Sequence, residues 1–119
     1  MNITTHTVNN QRIAEVNADE PVITGEEDAA ELLGNLYYSD YDRIIIHKKN
    51  ITPDFFELKN GMAGGILQKF SNYRVRLAIV GDFPQTGGAL ADFIRESNSG
   101  GQVNFMPSTE AALERLGRR

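Results

Sequence analysis

The 119-residue chain contains no cysteine and only two histidines. Disulfides, thiolate zinc or iron–sulfur sites and a cysteine nucleophile are therefore excluded, and so is a histidine-rich metal cage. No uninterrupted apolar run approaches the ~18 residues a membrane-spanning helix needs. The opening MNITTHTVNN is polar, so no signal peptide and no membrane partner are expected, and a cytoplasmic address is the default. Lys and Arg are missing between residues 13 and 42, a stretch that holds nine Asp or Glu. That acidic third argues against nucleic-acid binding, which needs basic surface over most of the footprint.

What is present is an ordinary globular balance, 40% hydrophobic and 24% charged with a net charge of −4. The length predicts one domain over residues 1–119, burying roughly two-thirds of the unfolded chain's surface. Residues 43–76 reverse the charge, with seven Lys or Arg against Asp54 and Glu57. Either the two segments neighbour and neutralise each other, or the basic one forms a rim for an anion or acidic partner.

Hydrophobic periodicity supplies the elements. Ile3 to Val8 is β-branched, Asn9-Asn10 offers turn chemistry, and Arg12 to Val16 alternates, which together predict a hairpin. Thr24 to Glu27 fits a capping box ahead of a helix carrying Leu32, Leu33 and Leu36. Arg43-Ile44-Ile45-Ile46-His47 reads as a strand buried on both faces. Thr52-Pro53-Asp54 predicts a second helix start, which Asn60-Gly61 can interrupt before helix resumes from Met62. A strand over Val75–Val80, a helix over Ala89–Ser97, a strand over Gln102–Met106 and a helix opened by Ser108 complete the order β-β-α-β-α-β-α-β-α. Strands alternating with helices imply an α/β fold whose five-stranded sheet is mostly parallel, with an edge hairpin and four to five helices.

The run DRIIIHKKNITPDFFELKNGMAGGILQKFSNYRVRLAIVGDF at residues 42–83, followed by ADFIRESN at 91–98, closely resembles a bacterial family known as Domain of Unknown Function 4180. The likeness extends over roughly Arg12 to Leu116 and implies a small prokaryotic cytoplasmic protein without assigning it an activity. More distantly, the element order and the ending FMPSTEAALERL resemble the STAS domain of anti-sigma-factor antagonists. That resemblance implies an antiparallel edge strand and helices mostly over one face. Known STAS switches carry a phosphorylated Ser within a DSSG-like motif at the start of the second main helix, where unpaired amides favour added negative charge. Here Asn60 stands at the expected position and Leu58 replaces the acid, while an earlier register makes Thr52 the candidate hydroxyl. The resemblance thus implies the architecture rather than the switch chemistry.

Parallel sheets bind ligands beyond the carboxyl ends of their strands. Three segments are expected there: His47 to Thr52, Gly81 to Pro84, and Met106 to Ser108. Lys48, Lys49, Thr52, Asn60, Gly61, Asp82 and Phe83 are the candidate residues for a ligand or partner; Asp82 can accept a hydrogen bond from a ligand or fix a cation, or else cap its own turn or pair with Lys48 or Lys49. His47 lacks an identifiable triad, His6 is distant in sequence, and Asp40-x-Asp42 reads as turn formers. Gly61-x-x-Gly64-Gly65 lacks the phosphate-loop lysine. Tyr37, Tyr38 and Tyr41 form either a lid on a helix end or a partner surface.

The expected function is a non-enzymatic regulatory or protein-interaction module, with no catalytic residues and no cofactor, whose partner is another protein. The alternative is a small-ligand or nucleotide-binding domain, with or without enzymatic activity, using the same rim, with a small anion or a nucleotide as the partner. Elemental analysis of gently purified protein is expected to find no stoichiometric zinc, and one full equivalent would overturn the reading of the two histidines.

Overall fold

A computed structural model describes residues 1–118. The chain runs β1 (Asn2–Val8), β2 (Gln11–Asn17), α1 (Glu26–Tyr38), β3 (Arg43–His47), α2 (Met62–Asn72), β4 (Arg76–Val80), α3 (Gly88–Gly100), β5 (Val103–Met106) and α4 (Thr109–Leu116). Short 3₁₀ turns at Lys48–Asn50, Pro53–Phe56 and Leu58–Asn60 fill the connection from β3 to α2. The five strands form a mixed sheet in the sequential order β1-β2-β3-β4-β5. β1 is antiparallel to β2, and the other three pairings are parallel. Asn9 and Asn10 turn the hairpin with φ of 51° and 67°, the left-handed conformation that Asn tolerates and a tight two-residue turn requires.

Side-chain alternation sorts the core onto two faces. Ala14, Val16, Ile44, Ile46, Leu77, Ile79, Val103 and Phe105 pack with the buried stripes of α1, α2 and α3 in one cluster. Ile13, Ile45 and Ala78 point the opposite way and pack with Ala112 and Leu116 of α4. Three helices therefore cover one face, and α4 alone serves the other.

Arginines dock α4. Arg43 Nε donates to Leu116 O at 2.7 Å, and Arg76 donates to Arg115 O at 3.2 Å and to Arg118 O at 3.1 Å. The last turn of a helix leaves carbonyls unpaired at the negative end of its dipole, so cationic donors satisfy both needs. Burial lowers the Arg76 pKa from its ordinary value, and the charges of Arg43 and Arg115 lower it further. Arg115 itself donates to the fully buried Asn104 Oδ1 at 2.8 Å and to the carbonyl of Asn98. Two of the seven bases of residues 43–76, Arg43 and Arg76, are thus spent on holding α4. The same stretch forms an ion pair with the acidic helix, Lys69 to Glu26 at 3.7 Å.

Two local expectations need correction. The α1 cap lies one residue later than the Thr24–Glu27 box: Gly25 is the N-cap, and Asp28 accepts from Gly25 N, Thr24 N and the Thr24 hydroxyl. The shorter Asp28 side chain, rather than Glu27, has the reach for both amides. These bonds outweigh the upward push of burial and hold the Asp28 carboxyl below its ordinary value. The second helix begins at Met62, not at Thr52, because Gly61 sits at φ 78° and divides the connection. Thr52 caps only a four-residue 3₁₀ turn. The Ser108 cap of α4 matches expectation, its hydroxyl accepting from Ala111 N at 3.1 Å.

Ile45 is fully buried beneath α4. Ile45→Ala is expected to cost about 2–5 kcal/mol through lost transfer energy and a residual cavity, measured by urea melts. A loss under about 1 kcal/mol would mean that α4 does not seal this face.

Candidate functional site

The carboxyl ends of β2, β3 and β4 open together on one rim, because parallel strands end at the same side of a sheet. Between them lies an open groove of about 1020 Å³. Pro21 borders it from the β2–α1 connection, His47 and Lys49 from the end of β3, Phe56 and Glu57 from the 3₁₀ segment, Val80 and Asp82 from β4, and Leu90 from α3. Its floor is apolar and its charged groups stand at the edge.

Lys48 is a strut of this groove. Its ammonium donates to Asp82 O at 2.7 Å and lies 5.6 Å and 5.0 Å from the ring centres of Phe56 and Phe83. Cation–π attraction to two rings and a charge-assisted hydrogen bond hold the side chain in place. The stem crosses Gly81, where an added Cβ would lie 2.6 Å from Lys48 Cβ. Lys49 and Asp82 are exposed beside it.

The remaining predicted residues are dispersed. Thr52 N donates to Ile23 O at 2.8 Å, which ties its loop to the β2–α1 connection, and its hydroxyl accepts from Asp54 N. Asn60 donates to Asp54 O and accepts from Met62 N, both at 2.8 Å, so its amide closes the turn that starts α2. Gly61 supplies the left-handed residue of that turn. Thr52, Asn60 and Gly61 do not line the groove, while Lys48, Lys49 and Asp82 do. Phe83 borders a smaller cavity of about 310 Å³ against α3, and its ring meets Phe56 and Phe105. The tyrosines also separate. Tyr41 is buried, hydrogen-bonded to Thr5 and covered by Arg12, whereas Tyr37 meets Tyr73 edge-on and Tyr38 is exposed.

Two features are not legible in the sequence pattern. The first is Asn50, fully buried at the foot of the rim. Its side-chain nitrogen donates to Ala18 O and Glu20 O at 2.8 and 2.9 Å, and its backbone carbonyl accepts from Val22 N and Ile23 N. Side chain and backbone of one residue thereby fix the loop that carries Pro21. The second joins residues far apart in sequence: Glu15 accepts from, or pairs with, His6 Nε2 at 2.8 Å and His47 Nε2 at 2.7 Å. The three stand on adjacent strands on the α4 side of the sheet, His47 bordering the groove. The one available signal is strand alternation, which puts Glu15 and His47 on one face once β2 and β3 are neighbours. Among the described residues no group of three His, Cys, Asp or Glu is placed to hold a metal ion. No helix of the described residues is long and apolar enough to cross a membrane.

The family described as Domain of unknown function (DUF4180) matches residues 8–116. No curated protein and no solved structure matches the chain.

Burial pushes the Glu15 carboxyl up, but hydrogen bonds and charge from the two histidines outweigh it and leave it below its ordinary value of 4.5. A carboxyl with a lowered folded-state pKa contributes stability that is complete above its unfolded value and is lost as pH falls through the folded one. Glu15→Gln is therefore expected to cost about 1–3 kcal/mol near neutral pH. The gap to wild type should close as pH drops below 4.5. Urea melts across a pH series would reveal it, and a constant gap through that range would remove the paired carboxylate from the explanation.

Proposed function

The chain belongs to the DUF4180 family, and we propose that the protein is a non-enzymatic interaction module of regulatory type, STAS-like in plan, which docks another protein along the strand-end groove. The observation that carries this reading is the sequential strand order joined to an open, apolar-floored groove. In doubly wound sheets, a ligand crevice forms where neighbouring connections leave to opposite faces. Here α1, α2 and α3 all pack on the same face, so the connections past β2, β3 and β4 turn the same way. Such a rim favours a shallow, extended contact over an enclosing pocket.

The fixed parts of the groove suit it for docking. Lys48 is tied to Asp82 O and Asn50 holds the Pro21 loop, so little ordering would be needed on binding. Lys49, Glu57 and Asp82 then serve as the polar rim around Phe56, Val80 and Leu90. Asn60 acts as a turn amide, and the proposal needs no phosphorylation at that position.

The alternative is a small anion or nucleotide in the same groove. One observation favours it: His47, oriented by Glu15, borders that space beside Lys49.

The test takes the intact protein as bait in an extract of its native host, then titrates whatever is recovered against variants. Lys49→Glu and Leu90→Ser should each weaken a partner seated in the groove by about tenfold or more (~1.4 kcal/mol). Lys49→Glu should leave the melt nearly unchanged, since exposed charges contribute little to stability. Undiminished affinity in both variants would move the contact elsewhere. Saturable calorimetric binding of a nucleotide or small anion, abolished by Lys49→Glu, would instead establish the alternative.

A further inference from the structure

We propose that the free edge of β1 pairs with the same edge of a second copy of this chain, about a two-fold axis at Thr5. In a two-residue turn, Val8 and Gln11 form a hydrogen-bonded pair, and bonded and non-bonded pairs then alternate along the ladder. Val8, His6, Thr4 and Asn2 therefore aim their backbone groups at β2. Thr7, Thr5 and Ile3 aim theirs outward. Among the described residues, no backbone hydrogen bond from a loop or turn reaches these three.

The opposite edge of the sheet is closed. Asn98 of α3 reaches over β5, accepting from Phe105 N at 2.7 Å and donating to Phe105 O at 3.3 Å. β5 is also only four residues long. Among the described residues the β1 edge has none of the usual protections, which are proline, an outward charge, a bulge or a covering element. Its seven residues pair with β2 without a register slip and carry no Lys, Arg, Asp or Glu. Two copies of a chain with net charge −4 would thus meet through the uncharged Ile3, Thr5 and Thr7, with His6 turned to Glu15 of β2.

Three outward-facing residues spaced evenly around Thr5 make the edge self-complementary. With the axis at Thr5, an antiparallel mate sets Thr5 against Thr5 and Ile3 against Thr7 in both directions. All of the outward N–H and C=O groups then find partners, giving the isologous contact expected of a two-fold dimer. The facing side chains are β-branched, the pairing that strands favour. Any extended strand offers backbone groups at this spacing, and a second copy adds by symmetry a mate whose three facing residues are also uncharged and β-branched.

Sedimentation velocity on the intact protein should show a reversible dimer at micromolar concentration. Thr5→Pro removes an N–H that points away from β2 and should abolish the dimer while the far-ultraviolet spectrum is retained. Thr5→Val, which loses only the hydroxyl bond to Tyr41, should keep it. Because the chain has no cysteine, Thr5→Cys reads the register independently of the proline variant. Facing Cα atoms in a hydrogen-bonded pair are ~5.5 Å apart, within the ~4.4–6.8 Å a disulfide spans. Thr7→Cys would face its own mate across ~13 Å, four residues along the strand. Mild oxidation should cross-link the first variant and leave the second single. A wild-type monomer, a dimer that survives Thr5→Pro, or equal cross-linking of the two cysteine variants would each overturn the proposal. So would a monomer whose β1 edge captures a strand of another protein.

Discussion

Sequential strand order is the constraint on which the rest of this structure depends. Because β2 to β5 are laid down side by side, α1, α2 and α3 all pack on one face, and the opposite face must be sealed by the segment after β5. Among the described residues α4 is the helix on that side, and it has eight residues. At ~1.5 Å per residue it covers ~12 Å, whereas five strands at ~4.8 Å spacing spread over ~19 Å. One short helix cannot cover that width. It packs on Ile13, Ile45 and Ala78, its end lies near the hairpin turn where Asn9 donates to Gly117 O, and the arginines that begin β3 and β4 hold its carbonyls.

The uncovered part of that face carries polar side chains. Glu15 lies between His6 and His47, and Asn17 donates to Thr4 at 2.9 Å. A carboxylate facing two imidazoles gives these partly buried polar groups a partner, which an apolar residue at position 15 would not. Its position beside the groove is a consequence of the same geometry. β2 and β3 end at the rim, and α4 does not extend across this corner.

The same constraint separates the legible parts of the sequence from the hidden ones. The Ile44-Ile45-Ile46 run, the Asn9-Asn10 turn and the Ser108 cap are local signals, each decided by residues within one element, and each has the expected counterpart. Lys48, Lys49 and Asp82 meet because strand ends converge, which is fixed by the order of elements alone. Thr52, Asn60 and Gly61 do not join them, because the connection from β3 to α2 breaks into short turns whose direction depends on burying Phe55. The roles of Arg43 and Arg76 are hidden for a different reason. A count of charges cannot distinguish a solvated rim from guanidinium groups satisfying the end of a helix 73 or 39 residues away in sequence.

The groove and the β1 edge belong to different parts of the sheet, and their geometry limits what pairing could do. An antiparallel β1 seam reverses every strand of the second copy relative to the first. The rim that carries Lys49 and Asp82 in one copy therefore lies at the opposite end of the joined sheet from its mate. The two-fold axis stands perpendicular to the sheet, so α1 to α3 of both copies lie on the same face. Two grooves facing opposite ways cannot close around one small molecule. They can each engage a separate protein, with valence set by the seam and affinity by the groove. Pairing through β1 would then add no residue to the groove of either copy, whose shape stays set by Lys48, Asn50 and the strand ends of its own chain.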